Sequence, residues 1–142
     1  MKTWPVMLLF GMLLAGICFA QNTNSSEPIP KYDLSQEAKF KGVVDEVSAH
    51  KCPISGGIGS HLMVKIADKI YEVHVAPVKF VKSYEVTFEK GDELEITGVK
   101  TTFQGIDAIL PREIKRGNDD FLFRDEKGKP IYSIDINSKR MN

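Results

Sequence analysis

The sequence predicts an all-β domain that contains one short helix. Three observations support this fold class: apolar and polar residues alternate along short segments, glycine and proline separate those segments, and a single stretch shows helical spacing. The chain has 142 residues, of which 42% are hydrophobic and 27% are charged, as in ordinary globular proteins. Once a candidate leader is set aside, about 120 residues remain, which suffice for one domain with a single core.

The first predicted strand covers residues 40–49. It is rich in valine and is interrupted by Gly42, a pattern typical of a long strand that bends. Residues 53–60 follow it and contain three glycines, two serines and one proline, so we expect a loop there.

The second and third predicted strands, residues 61–67 and 70–76, form a hairpin around a turn at Asp68 and Lys69. This turn predicts a register in which one face carries three apolar pairs: Leu62–Val75, Val64–Val73 and Ile66–Tyr71. The other face is predicted to point outward and carries two further pairs: Lys65–Glu72 and Met63–His74. Slippage by one residue would mix the two faces, so the alternation specifies the register.

A helix of about two turns is predicted over residues 77–84. Proline suits the first helical position, and the apolar side chains follow at helical spacing: Pro77, Phe80, Val81 and Tyr84. Residues 91–98 then predict a fourth strand, with Leu94 and Ile96 facing inward and three polar residues facing outward: Glu93, Glu95 and Thr97.

The fifth predicted strand, residues 106–110, follows a turn near residues 104–105. Pro111 is expected at an edge or a bulge, because proline cannot donate a hydrogen bond within a sheet. Residues 121–124 and 130–132 flank a turn-forming segment and predict an extra carboxyl-terminal hairpin.

Three strands, a short helix and two more strands form the element order of the five-stranded OB barrel. In length, strand order and leader, the chain resembles small exported bacterial OB-fold proteins over about residues 40–116. The resemblance implies an OB-type barrel within a domain spanning 37–132, with a hairpin added over residues 120–132. It implies no single function, because this fold hosts nucleotide, sugar, protein and metal binders.

The first 20 residues predict a cleavable secretory signal. Lys2 is followed by an uncharged run over residues 5–20, which is 16 residues long and ends in small residues that suit cleavage after Ala20. A membrane-spanning helix would need about 20 apolar residues. The mature chain is therefore expected in the periplasm or outside the cell, with a flexible leader at residues 21–36 and a polar tail at residues 133–142.

The strongest chemical signal is a clustering of metal-ligating residue types. All three histidines and the only cysteine after the signal fall within residues 50–74: His50, Cys52, His61 and His74. Imidazole, thiolate and thioether ligands suit copper or zinc. The sequence therefore predicts a candidate metal site with His61, His74 and Met63 as its core and either Cys52 or His50 as the fourth ligand.

Some periplasmic copper-binding chaperones are small OB barrels with histidine and methionine ligands, and this chain is similar to them in ligand type. It lacks the tryptophan that such sites can use, because Trp4 lies in the predicted signal. The alternative is a structural role, since three histidines are an ordinary number and neither CxxC nor HxxxH spacing occurs. A lone Cys52 is also typical of a buried and inert thiol.

Charge and motifs narrow the remaining function classes. Without the signal, the chain has 18 basic and 19 acidic residues, a balance that disfavours nucleic-acid binding. The glycine loop at residues 55–59 lacks the lysine of a phosphate-binding loop, and no G-x-S-x-G nucleophile motif is present. We therefore expect a monomeric, non-enzymatic binding protein without a cofactor that contacts an envelope protein partner, with copper or zinc binding as the alternative.

Overall fold

A computed structural model describes residues 27–132, which contain six strands, one α-helix and one 3₁₀ turn at Leu34–Gln36. The strands are β1 (Ala38–Lys51), β2 (Ile58–Ile66), β3 (Lys69–Pro77), β4 (Glu93–Phe103), β5 (Ile106–Arg116) and β6 (Asp119–Leu122), and the helix α1 is Val78–Ser83. The all-β class and the short helix between the third and fourth strands are confirmed. The predicted signal, the first residues of the predicted leader and the tail lie outside the described residues.

The six strands form one sheet in the order β3-β2-β1-β4-β5-β6 with antiparallel neighbours. A further, parallel pairing joins β3 to β5, with Val73 opposite Ile109. The first five strands therefore close into a ring, and β6 extends the sheet from β5 alone. Five barrel strands and an added hairpin were predicted; the structure has six strands, of which the sixth, residues 119–122, pairs with β5 after a turn in which Gly117 has φ 59°.

The 14-residue strand β1 reaches both halves of the ring, since it pairs with β4 through its first residues and with β2 through its last. Gly42 lies where these two pairings meet. A Cβ atom at this position would lie 2.6 Å from Val64 Cγ1 and 2.7 Å from the carbonyl oxygen of Lys65. The long first strand with a glycine is confirmed, and the glycine is needed because β2 backbone approaches it closely.

The register of the β2–β3 hairpin differs from the predicted one by two residues. Ile66 pairs with Lys69, so the turn consists of Ala67 and Asp68, and Ala67 adopts the left-handed conformation with φ 53°. A shift of two residues keeps each side chain on its predicted face but changes its partner. His61 therefore pairs directly with His74, and Met63 pairs with Glu72.

The predicted hairpin over residues 120–132 is also corrected. Residues 121 and 122 belong to β6 and pair with β5, so only an isolated bridge between Arg124 and Pro130 joins the two predicted arms. The loop between them is held by Asp125, whose Oδ1 accepts hydrogen bonds from the backbone amides of Lys127 and Lys129, each at 2.9 Å. Backbone hydrogen bonds from Ile131 to Phe123 at 3.1 Å and from Asp125 to Lys129 at 2.9 Å form this bridge, so the predicted hairpin is shortened to a single bridge around the loop.

All five strands of the ring contribute to one hydrophobic core, as do the helix and two residues after β6, Phe123 and Tyr132. As predicted, Leu94 and Ile96 of β4 are buried, and the turn near residue 104 joins β4 to β5. Arg112 is the extra residue of a bulge directly after Pro111, which confirms the expectation for that proline. Thr97 was expected to face outward and is buried, since it lies beside this bulge.

The segment before β1 is fixed to the sheet by an ion pair between Glu37 and Arg112. Arg112 donates two hydrogen bonds of 2.8 Å to the carboxylate, and the Tyr32 hydroxyl donates a third of 2.5 Å. The hydrogen bonds from Arg112 hold the pKa of Glu37 below its ordinary value. Because the folded pKa is depressed, this contribution to stability is present above the ordinary value and is lost as the pH falls through the folded one.

We expect Glu37→Gln to lower the free energy of unfolding at pH 7 by about 2 kcal/mol, the scale of a hydrogen bond to a charged group. The difference should begin to shrink as the pH falls below the ordinary glutamate pKa, and the variant and the parent should converge only below the depressed folded pKa, where the parent carboxylate is protonated in both states. Urea unfolding at several pH values measures this difference. Glu126→Gln, which changes an exposed carboxylate, is the control. A Glu37→Gln deficit of equal size at pH 7 and in acid would contradict the electrostatic account.

Candidate metal centre

Cys52 is positioned by a tight turn directly after β1. Its backbone amide donates to the carbonyl of Gly57, and its carbonyl accepts from the amide of Gly56, each at 2.9 Å. These two hydrogen bonds fold the glycine-rich loop over the sheet, and Cys52 is only 3% exposed. Its sulfur lies 3.3 Å from Nδ1 of His74. The predicted loop thus holds the Cys52 thiol against the β2–β3 hairpin, next to His74.

His61 and His74 lie side by side on β2 and β3 and are 0% and 5% exposed. They lie on the predicted face of the hairpin, but the expectation that this face is exposed to solvent was wrong. The His50 ring stacks on the His61 ring at 3.8 Å between centroids, and Phe103 approaches the edge of His74 at 6.0 Å. His50, Phe103 and the Cys52 loop therefore cover the face of the β2–β3 hairpin that the alternation of apolar and polar residues predicts to be exposed.

Three imidazole nitrogens in this region have no hydrogen-bond partner. They are Nδ1 and Nε2 of His61 and Nε2 of His74, and all three are buried. Burial of a polar atom without a hydrogen bond costs about 1–3 kcal/mol, so native proteins seldom leave such atoms unsatisfied. His61 is the clearest case, because neither of its nitrogens is satisfied within the described residues.

The electrostatics of the site favour an ionised sulfur. Burial raises the pKa of the Cys52 thiol, but the neighbouring His61 and His74 rings and Ser55 outweigh this effect and lower the pKa to about 5. This environment therefore favours the thiolate of Cys52, the form that binds metal ions and acts as a nucleophile.

Two groups of potential ligands share His61. The first, which we call the Cys–His cluster, consists of Cys52, His61 and His74. The second consists of His50, His61 and Glu72. Within each group, the ligand atoms all lie within 4.8 Å of one another. The structure thus brings together all four residues of the predicted His and Cys set, divided between two groups.

Glu72 was not predicted as a site residue. It was assigned to a pair with Lys65, whereas the observed register places it opposite Met63, and its Oε1 lies 3.1 Å from Nε2 of His50. A turn placed one residue earlier in the sequence would have predicted the observed position of Glu72, because that change alters every cross-strand partner. Met63, predicted as a ligand opposite His74, pairs with this glutamate instead.

Gly59 allows the Cys52 loop to lie against β2. A Cβ atom there would lie 2.6 Å from Cys52 Cβ and 2.7 Å from Ser55 Oγ. We expect Gly59→Ala to displace the loop and to raise the rate of Cys52 alkylation on the order of tenfold, because local opening exposes buried groups. Gly105→Ala strains a turn at φ 73° away from the site and is the control. An unchanged rate in Gly59→Ala would contradict this role.

Comparison with known proteins gives one family. No curated protein matches the chain. None of the helices within residues 27–132 is both long and apolar enough to cross a membrane. Residues 36–121 match the model of the MamS/MamX magnetosome protein family, and this segment covers more than half of the chain and includes every ligand residue described above. The chain therefore belongs to the MamS/MamX magnetosome protein family.

Proposed function

We propose that this chain is a magnetosome-associated, non-enzymatic binding protein whose Cys–His cluster binds one copper or zinc ion. The family supports the association with the magnetosome. The metal is supported by one observation above all: both nitrogens of the fully buried His61 lack a hydrogen-bond partner, within ligand distance of the Cys52 sulfur and the His74 ring. A bound ion would satisfy one of these nitrogens and would offset the cost of burying it.

The donor set fits the coordination preferences of these two metals. Zinc binds cysteine and histidine ligands and keeps an open fourth position where the protein supplies three of them, and one thiolate with two imidazoles forms the trigonal plane of blue-copper sites. Two ligands of a tetrahedral ion are about 3.5 Å apart when the metal–ligand distances are about 2.0–2.3 Å. The 3.3 Å separation of Cys52 Sγ from His74 Nδ1 is close to that value.

A lone thiol needs protection in an oxidising compartment, which is where the leader would send this chain. Cys18 lies in the predicted signal, so Cys52 has no intramolecular disulfide partner after cleavage. A metal ion on the thiolate would shield it from oxidation and intermolecular pairing. We also infer that the ring of β1–β5, with α1 between β3 and β4, is of the OB type, because its strand order and helix position match that fold.

Titration of the full chain with zinc or copper, followed by removal of loose metal and native mass spectrometry, tests the proposal. We expect one retained ion per chain, with an intense thiolate-to-metal absorption for copper(II). His61→Ala should retain far less metal than the parent. Ile58→Ala, which alters an exposed side chain near the loop, is the control and should retain the parent amount. A parent chain that retains no metal at stoichiometric addition would overturn the proposal.

A further inference from the structure

We propose that His50 and Glu72 form an outer metal-binding position from which an ion passes inward to the Cys–His cluster. This inference rests on the proposed function and adds the route by which the buried cluster is loaded. We call these two residues the His–Glu pair.

The exposed fraction of the side chains decreases from the His–Glu pair to the Cys–His cluster. The His50 side chain is 51% exposed, that of Glu72 is 10% exposed, and that of His74 is 4% exposed. An ion that arrives from solvent therefore meets the imidazole of His50 first. The buried Cys–His cluster has no comparably exposed ligand of its own.

The carboxylate of Glu72 connects the outer position to the cluster. Its Oε1 lies 3.1 Å from His50 Nε2, and its Oε2 lies 3.7 Å from His74 Nε2. One carboxylate thus faces the exposed histidine with one oxygen and a buried histidine with the other. A cation held between Glu72 and His50 is already next to the cluster, and the negative charge favours its presence there.

The ring geometry makes the transfer sequential. The His50 and His61 rings are stacked, with 3.8 Å between centroids and 8° between planes. An imidazole nitrogen binds a metal through a lone pair in the plane of its ring, so two parallel rings at this distance cannot both bind one ion. The ion must be held first by the His–Glu pair, and the His50 ring must turn away as His61 takes the ion.

The ligand types give the transfer a direction. The outer position offers one imidazole and one carboxylate, whereas the Cys–His cluster offers a thiolate and two imidazoles. Thiolate binds copper and zinc more strongly than carboxylate does. At equilibrium the ion is therefore expected in the Cys–His cluster, and the His–Glu pair serves to bind the ion first, as it arrives from solvent.

Stopped-flow mixing of the full chain with Co²⁺ tests this route, because cobalt bound to a thiolate gives a charge-transfer absorption and cobalt bound to the His–Glu pair does not. We expect His50→Ala and Glu72→Gln each to slow the appearance of this absorption about tenfold, since both remove the outer acceptor. At equilibrium both variants should still develop it. Ile58→Ala, near the loop and outside both positions, should match the parent rate.

The two possible failures are distinct. If the variants acquire the charge-transfer absorption at the parent rate, the His–Glu pair is not on the route, and the Cys–His cluster remains a metal site. If the parent itself develops no such absorption with Co²⁺, the proposed function and the route both fail. If His50→Ala abolishes the absorption at equilibrium, His50 is a ligand of the inner site, and the two-position account is wrong.

Discussion

Replacement of Cys52 by alanine is expected to weaken zinc binding by more than about 100-fold, because changes to residues that only support metal ligands already cost 10–100-fold. The variant removes the only thiolate of the site and leaves the imidazoles of His61 and His74. Residual weak binding is expected at the His–Glu pair, which the substitution does not touch. Competition titration against a chromophoric chelator measures the affinity of the parent and of the variant.

Fold integrity separates this result from simple unfolding. Cys52 lies at the start of a loop outside the hydrophobic core cluster, so we expect Cys52→Ala to keep the circular dichroism spectrum of the parent. Ile58→Ala should bind zinc as the parent does. A Cys52→Ala affinity equal to that of the parent would show that the thiolate is not a ligand.

Ile109→Ala should lower the free energy of unfolding by about 3–4 kcal/mol, the usual cost of removing a large buried aliphatic side chain. Ile109 is fully buried and lies on β5 opposite Val73 of β3, at the parallel pairing that closes the ring. The substitution leaves a cavity beside the pairing with the fewest paired residues in the ring. Urea unfolding followed by far-ultraviolet circular dichroism measures the change. Tryptophan fluorescence does not suit this measurement, since the sequence has one tryptophan, Trp4, and it lies outside the described residues.

Ile106→Ala is the matched control, because it makes the same change in the same strand at a side chain that is 45% exposed. A change of less than about 1 kcal/mol is expected there, as for surface substitutions away from the core. Equal losses in the two variants would mean that Ile109 does not lie in the core.

The fold class could be predicted because apolar and polar residues alternate along short segments of the sequence, although burial in the structure is continuous through the middle of β2, β3 and β5. Leu94 and Ile96 are buried on β4 as their alternation indicates, and Pro77 precedes the only α-helix among residues 27–132. A strand was predicted over residues 121–124, but its pairing with β5 and its start at residue 119 were not, since Asp119 and Asp120 add no apolar pattern.

The residue types of the site were predicted from the sequence, but their cross-strand partners and their burial were not. Clustering along the chain found Cys52 and the histidines, because strands joined by short connections bring nearby sequence together. The pairing depends on where the chain turns, and Ala67 adopts a left-handed conformation, which is common for glycine and unusual for alanine. The resulting shift in register places Glu72, rather than Met63, among the candidate ligands. The site is buried because the Cys52 loop packs over it, and the alternation of residues along the strands does not predict such a contact.

X-ray absorption spectroscopy of the full chain loaded with one equivalent of zinc tests the central claim most directly. The account predicts one sulfur ligand at about 2.3 Å and two imidazole nitrogens at about 2.0–2.1 Å, the distances typical of zinc bound by cysteine and histidine. A shell made only of nitrogen and oxygen, without the sulfur of Cys52, would contradict it.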